Sequence, residues 1–139
     1  LRVLTNAVEN GANPSGCSDY LREKQNLLSR GVDVYEVVCG QSLHTITILI
    51  GNDLSVVGSF HADMRSAYLD TELMLVIESE EVNAALRQAE DPYIAQSRLA
   101  LHDGGIEYGA RFEEVTLPWA KRALYEGLSS VQRPVRHLL

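Results

Sequence analysis

Apolar positions in this chain follow two periods, and the switches between them mark out its elements. Residues 2–5 (RVLT) read as a short strand, and NAVENGANPSG, rich in Asn, Gly and Pro, reads as a loop. Across residues 18–30, Tyr20, Leu21, Leu27 and Leu28 recur at helical spacing, and Gly31 supplies a stop. Residues 32–38 predict a strand directly after that helix, the αβ rhythm of a layered fold. TITILI and LSVVGSF predict two more strands, joined through the turn formers Gly51, Asn52 and Asp53. Residues 71–77 include LMLVI, apolar on both faces, which predicts a central, buried strand. Ser79 predicts a helix cap with Glu80 and Glu81 in the first turn, and Pro92 predicts the end or a kink of that helix. The pattern weakens over residues 95–112, where Gly104 and Gly105 mark a turn and HDGG and GARFEEV read as surface loops. Residues 117–139 predict a helix interrupted near Pro134.

The hairpin in the middle of the chain sets which polar side chains share a face. A two-residue turn at Asn52 and Asp53 pairs Gly51 with Leu54, Ile46 with Ser59 and His44 with His61. A three-residue turn moves the register by one and sends Ser59 and His61 to the face opposite His44, since strand side chains alternate. The two-residue turn gathers the polar residues and is the predicted one. A lone histidine at a strand start is more often structural than functional, and it is the clustering of His44 with Ser59 and His61 that marks the site.

Composition narrows the function classes. A chain of 139 residues with 45% hydrophobic content can bury one core. A net charge of -7 argues against a general nucleic-acid binder, whose affinity comes mostly from cationic neutralisation of phosphates, and leaves room only for a local basic patch. Cys17 and Cys39 form no Cys-x-x-Cys pair, which predicts reduced thiols rather than a disulfide framework. No apolar run is long enough to span a bilayer, and no signal-peptide pattern is present. The chain starts at Leu1, enters a strand at once, and reads as a piece of a longer protein.

The segment HTITILIGNDLSVVGSFHADMRSAYLDTE resembles the signature of the phospholipase D superfamily, in which His-x-Lys is followed by an aspartate and then Gly-Ser-x-Asn. His44 matches the histidine, Gly58 and Ser59 match Gly-Ser, and LDTE places Glu72 at the position of the family's histidine-holding glutamate. GSFHADMRSAYLDTELMLVI and LTNAVENGAN are similar to the C-terminal module of bacterial cardiolipin synthases and related phosphatidyltransferases, over residues 2 to about 89. Three positions depart from the pattern: Ile46 stands for lysine, Gly51 for aspartate and His61 for asparagine.

The resemblance implies an α/β fold, a mixed β-sheet flanked by helices, as a half-domain truncated at its N-terminus. Residues 1–116 would form the partial phospholipase D-like domain and residues 117–139 a cationic amphipathic helical segment. The implied activity is phosphatidyl transfer on phospholipid phosphodiesters, without cofactor or metal, at a site completed by a second module of the full-length chain or of a homodimer. His44 would be nucleophile or acid/base, Glu72 would orient it, and Ser59 and His61 would lie at the phosphate. A neutral imidazole aimed at phosphorus needs a carboxylate on its other nitrogen to fix the tautomer and stabilise the imidazolium. Losing one preorganised donor to the phosphate oxygens costs about 10² to 10³ in rate, and Ile46 offers none. This copy alone is therefore expected to be inactive.

Other readings stand beside this one. One is a non-catalytic module that binds lipid or a partner half. Another is a nuclease of the same superfamily, which the acidic composition disfavours. A metal site of His44, His61, Asp63 and Glu72 is a sharper alternative, although zinc sites usually announce themselves with close His or Cys pairs. The tail adds a charge asymmetry. From Trp119 onward it carries Lys121, Arg122, Arg133 and Arg136 against Glu126 alone, with Leu124, Tyr125, Leu128, Val131, Leu138 and Leu139 as apolar component. That composition suits an anionic membrane surface and predicts a peripheral protein on the cytoplasmic side of a membrane; a terminal helix packed on the domain is the plainer reading.

Overall fold

The computed structural model describes residues 1–11, 14–38, 42–61 and 64–131. Cys39, Asp63, Arg133, Pro134, Arg136, Leu138 and Leu139, and the side chains of Glu126, Leu128 and Val131, lie outside what is described. The chain divides into two compact units, Leu1–Leu43 with Pro92–Pro134, and His44–Asp91. The fold is α/β, with helices flanking sheets that are mixed in one unit and antiparallel in the other.

The first unit begins with β1 (Arg2–Asn6), α1 (Pro14–Ser29) and β2 (Asp33–Val37). β1 and β2 are parallel neighbours, so the chain must cross over between them, and α1 is that crossover. Gly31 ends the helix at φ 78, a conformation that suits glycine. Residues 95–112, where periodicity is weak, form two short strands, β6 (Ser97–Ala100) and β7 (Ile106–Tyr108), around a turn with Gly104 at φ 91. The sheet order is β1-β2-β6-β7. Val34, Val37, Leu99 and Ala100 are buried. Beside them, Val8 and Cys17 pack with Tyr125 of α4 (Trp119–Val131). Burial pushes the Cys17 thiol up, towards its neutral form.

One buried charge interrupts this core. Glu36, 2% exposed, accepts hydrogen bonds from Tyr20 Oη at 2.6 Å, Lys24 Nζ at 2.8 Å and Arg98 Nε at 2.8 Å. Tyr20 and Lys24 stand one helical turn apart on α1 and so reach the same carboxylate. Burial alone would raise the Glu36 carboxyl, but the bonds from Lys24 and Tyr20 and the charges of Lys24 and Arg98 outweigh it and leave it lowered.

The second unit holds β3 (Ile46–Ile50), β4 (Leu54–Gly58), α2 (Met64–Tyr68) and β5 (Met74–Glu78), and α3 (Glu80–Ala95) starts within it. The β3–β4 turn corrects the predicted register. Ile50 pairs with Leu54 and Ile46 with Gly58, so the turn has three residues, Gly51, Asn52 and Asp53. Gly51 adopts φ 59, which takes it out of the strand. Helix α3 holds the turn in place. Arg87 donates to Gly51 O at 2.7 Å, and Asn83 Nδ2 donates to Leu54 O at 2.8 Å and Ser55 Oγ at 3.2 Å.

Two more expectations change. β5 is an end strand of the order β3-β4-β5, with Leu75 61% and Val76 63% exposed, rather than a central buried one. An apolar run records what could be buried, and neighbours decide whether it is. Helix α3 continues past Pro92 to Ala95, so Pro92 does not end it; proline's fixed φ suits a helix, at the loss of its own N–H bond and with its ring crowding the carbonyl four residues back. Its start is as expected, with Ser79 Oγ accepting from Val82 N at 3.3 Å.

Candidate functional site

The candidate residues lie where β3 begins and β4 and β5 end their pairing. His44 stands two residues before β3, and Ser59 and His61 follow β4. Glu72 stands two residues before β5. The Gly58–Met74 pair closes the β4–β5 ladder, and one more bond, Ser59 N to Leu73 O at 3.1 Å, brings Ser59 beside Glu72. Gly58 is required there: a Cβ would stand 2.1 Å from Leu73 O and 2.9 Å from Met74 Cα.

The structure brings the four residues together in two contacts. Ser59 Oγ donates to Glu72 Oε2 and accepts from Leu73 N at 3.1 Å. The rings of His44 and His61 meet edge to face, centroids 5.0 Å apart and planes at 73°. The predicted meeting of the histidines is present although its predicted register is absent. Strand alternation governs side chains only inside the ladder, and all four residues lie just beyond it.

Glu72 is held as a carboxylate. Hydrogen bonds from Ser59 and then Ser66, with the charge of His61 behind them, lower its carboxyl below the ordinary range. Among the described residues no hydrogen bond joins Glu72 to His44, the contact that the resemblance implies; the carboxylate's bonded partners are hydroxyls. Ser59 has one proton and gives it to Glu72, so in this arrangement its hydroxyl has no second hydrogen for a phosphate oxygen. His61 is fixed through its backbone, N–H to Ser66 Oγ at 3.2 Å, which leaves its ring free to be placed by His44. Ser66, buried and on α2, is the residue that sequence reading missed. Its only signal was its place in the RSAYLDTE stretch, and its role depends on α2, a five-residue helix without a readable period.

Ile46, where the family pattern has lysine, begins β3 opposite Gly58 and so sits at the edge of this cluster. Gly51 lies at the far end of the hairpin, where it makes the turn and takes no part in the site. Among the described residues, no group of three or more His, Cys, Asp or Glu could hold a metal ion, and no helix is long and apolar enough to cross a membrane.

Residues 1–91 match the family described as "Cardiolipin synthase, PLD-like domain". Similar proteins include cardiolipin synthase A of Yersinia pseudotuberculosis, 38% identical over 99 residues that cover 71% of this chain and 17% of the relative. Cardiolipin synthase A of Cronobacter sakazakii is 42% identical over 73 residues, 52% of this chain and 15% of the relative. The Yersinia pestis protein of the same name is 44% identical over 78 residues, 56% of this chain and 15% of the relative. The chain thus spans about one sixth of the length of these relatives. No solved structure matches it.

Proposed function

The chain belongs to the cardiolipin synthase, phospholipase D-like domain family, and from that premise we propose that it is one half of a phosphatidyltransferase site acting on phospholipid phosphodiesters. The observation that carries this reading is the cluster of His44, His61, Ser59 and Glu72 at one end of the hairpin. A second module, in the same longer chain or in a second copy, completes the site. His44 Nε2 or Nδ1 forms the bond to phosphorus or protonates the departing alcohol oxygen, with the second module's histidine taking the other role. The incoming alcohol then displaces the imidazole, its proton passing to the histidine that protonated the leaving group.

Glu72 serves this site through Ser59 and by holding negative charge beside His61. His61 is the donor to a phosphate oxygen at the position where the family pattern has asparagine. Ile46 supplies no charge there, so this copy contributes less transition-state stabilisation than an intact half. The lipid, the peripheral place on the cytoplasmic face of a membrane and the partner module are all part of this reading.

Transfer assays in the full-length protein test it. The chain alone should give no phosphodiester cleavage or phosphatidyl transfer on phospholipid above background. Ile46→Lys with His61→Asn, beside an intact second module, should raise transfer by a factor of about 10². His44→Ala on that background should abolish the gain. Ordinary turnover by the unaltered chain, unchanged by Ile46→Lys, would place Ile46 away from phosphate and defeat the mapping.

A second reading has its own observation. The face of β3 and β5 that carries Ile48, Ile50 and Val76 leaves them 49%, 53% and 63% exposed, as a module kept for packing against a partner half would require. Transfer unaffected by His44→Ala but lost on Ile48→Asp would select it.

A further inference from the structure

Among the described residues Glu72 makes no hydrogen bond to His44, and its carboxylate instead joins two hydrogen-bonded arms. In the first, Leu73 N–H donates to Ser59 Oγ at 3.1 Å and Ser59 donates to Glu72. In the second, His61 N–H donates to Ser66 Oγ at 3.2 Å and Ser66 donates to Glu72. Each arm is a main-chain amide, a serine hydroxyl and the shared carboxylate.

The direction of both arms follows from what the groups can do. An ionised carboxylate only accepts, so each serine places its single proton on Glu72. What remains on Ser66 is a lone pair, and it takes the His61 N–H. Ser66 is 7% exposed, so water has little access to this hydroxyl, and removing it takes a partner from the His61 amide and from the carboxylate together.

The arms serve different neighbours. Ser59 is also held by its own N–H on Leu73 O at 3.1 Å, which continues the β4–β5 pairing, so its place does not need Ser66. His61 lies three residues beyond the end of β4, outside that ladder, and its ring meets His44 edge to face. Ser66 comes from α2, five residues after His61 and six before Glu72, so one side chain ties the start of this connection to its end.

We infer that Ser66 is a positioning residue for the histidine pair: it carries the hold of Glu72 to His61 and, through the ring contact, to His44. The carboxylate that the resemblance sets directly on His44 acts here through Ser66 and His61. That role rests on the half-site reading for the chemistry of His44, and on the two arms alone for its geometry.

NMR and hydrogen exchange on the isotope-labelled chain test it. Ser66→Ala should quicken exchange of the His61 amide about tenfold, the loss of one hydrogen bond, and move the ring-proton resonances of both His61 and His44. The Glu72 carboxyl should rise, since one donor to its charged form is gone. The Leu73 amide, in the other arm, should keep its exchange rate, whereas Glu72→Ala should release both amides. Ser66→Thr keeps the hydroxyl and should restore the His61 amide and the rings. In the full-length protein with an intact second module, Ile46→Lys and His61→Asn, position 61 keeps its main-chain bond to Ser66. There Ser66→Ala should lower kcat about tenfold with KM held, and Ser66→Thr should recover it. Unchanged His61 exchange and ring resonances in Ser66→Ala overturn the assignment. Equal quickening of His61 and Leu73 in that variant overturns it too, in favour of a general loosening of the unit. Absence of transfer in the full-length background counts against the half-site reading alone, and the His61 amide still decides the role of Ser66.

Discussion

The His44 ring lies edge to face against the His61 ring, centroids 5.0 Å apart, although the strands that lead to them end at Ile46 and Gly58. The contact predicts that His61→Asn will move the ring-proton resonances of His44 in the NMR spectrum, because the shielding of a neighbouring aromatic ring is removed. Resonances of His44 that stay in place would show that the rings do not meet in solution.

Gly58 closes the β4–β5 ladder next to Ser59, and a Cβ there would stand 2.1 Å from Leu73 O. Gly58→Ala must push the two strands apart. Its expected cost is that of overpacking, about 1–3 kcal/mol in urea unfolding. Since Ser59 N and Oγ both bond Leu73, the same shift should loosen the Ser59–Glu72 contact. A variant as stable as the parent would contradict this close approach.

Glu36 accepts from three donors while 2% exposed, whereas Lys24 and Arg98 keep 22% and 27% of their side chains in solvent. Glu36→Gln leaves the two cations without their charge partner and should cost about 3 kcal/mol, the lower end for breaking a buried pair, because the cations retain some water. The pH dependence has a defined sign. The folded carboxyl is lowered from 4.5, so its contribution is complete above that value and is lost as pH falls through the folded value. Urea midpoints of the parent should therefore fall on acidification below 4.5 more steeply than those of Glu36→Gln. Parallel pH profiles would remove Glu36 from the account of acid stability.

Asn6 grips the backbone of Leu43 with both ends of its amide, Nδ2 to Leu43 O at 2.8 Å and Leu43 N to Oδ1 at 2.7 Å. Asn6→Ala leaves a partly buried donor and acceptor unpaired, an expected loss of about 1–3 kcal/mol. Asn6→Asp keeps the acceptor but sets a carboxylate against the Leu43 carbonyl, and should be no milder. Hydrogen exchange at Leu43 should quicken in both variants, and an unchanged rate would show that the clamp is not formed.

The sequence by itself determined the elements with strong local signals. Gly31 at positive φ, the Ser79 cap and the two periods around them needed only neighbouring residues, so β1, α1, β2 and the start of α3 were legible. The family was legible as well, from the spacing of His44, Gly58, Ser59 and Glu72, and residues 1–91 match it. The tertiary structure decided what depends on distant partners. The length of the β3–β4 turn was settled by Asn83 and Arg87, which lie some thirty residues further on and bind Leu54 O and Gly51 O. The end position of β5 and the pairing of β6 with β7 rest on strand neighbours that no local period encodes. Glu72 found Ser59 and Ser66 rather than His44 because its partner was chosen by where the ladder stops and where α2 starts. Local backbone preference acts over a few residues and can be read along the chain, whereas hydrogen-bond partners and exposure are set by which surfaces the whole fold brings into contact.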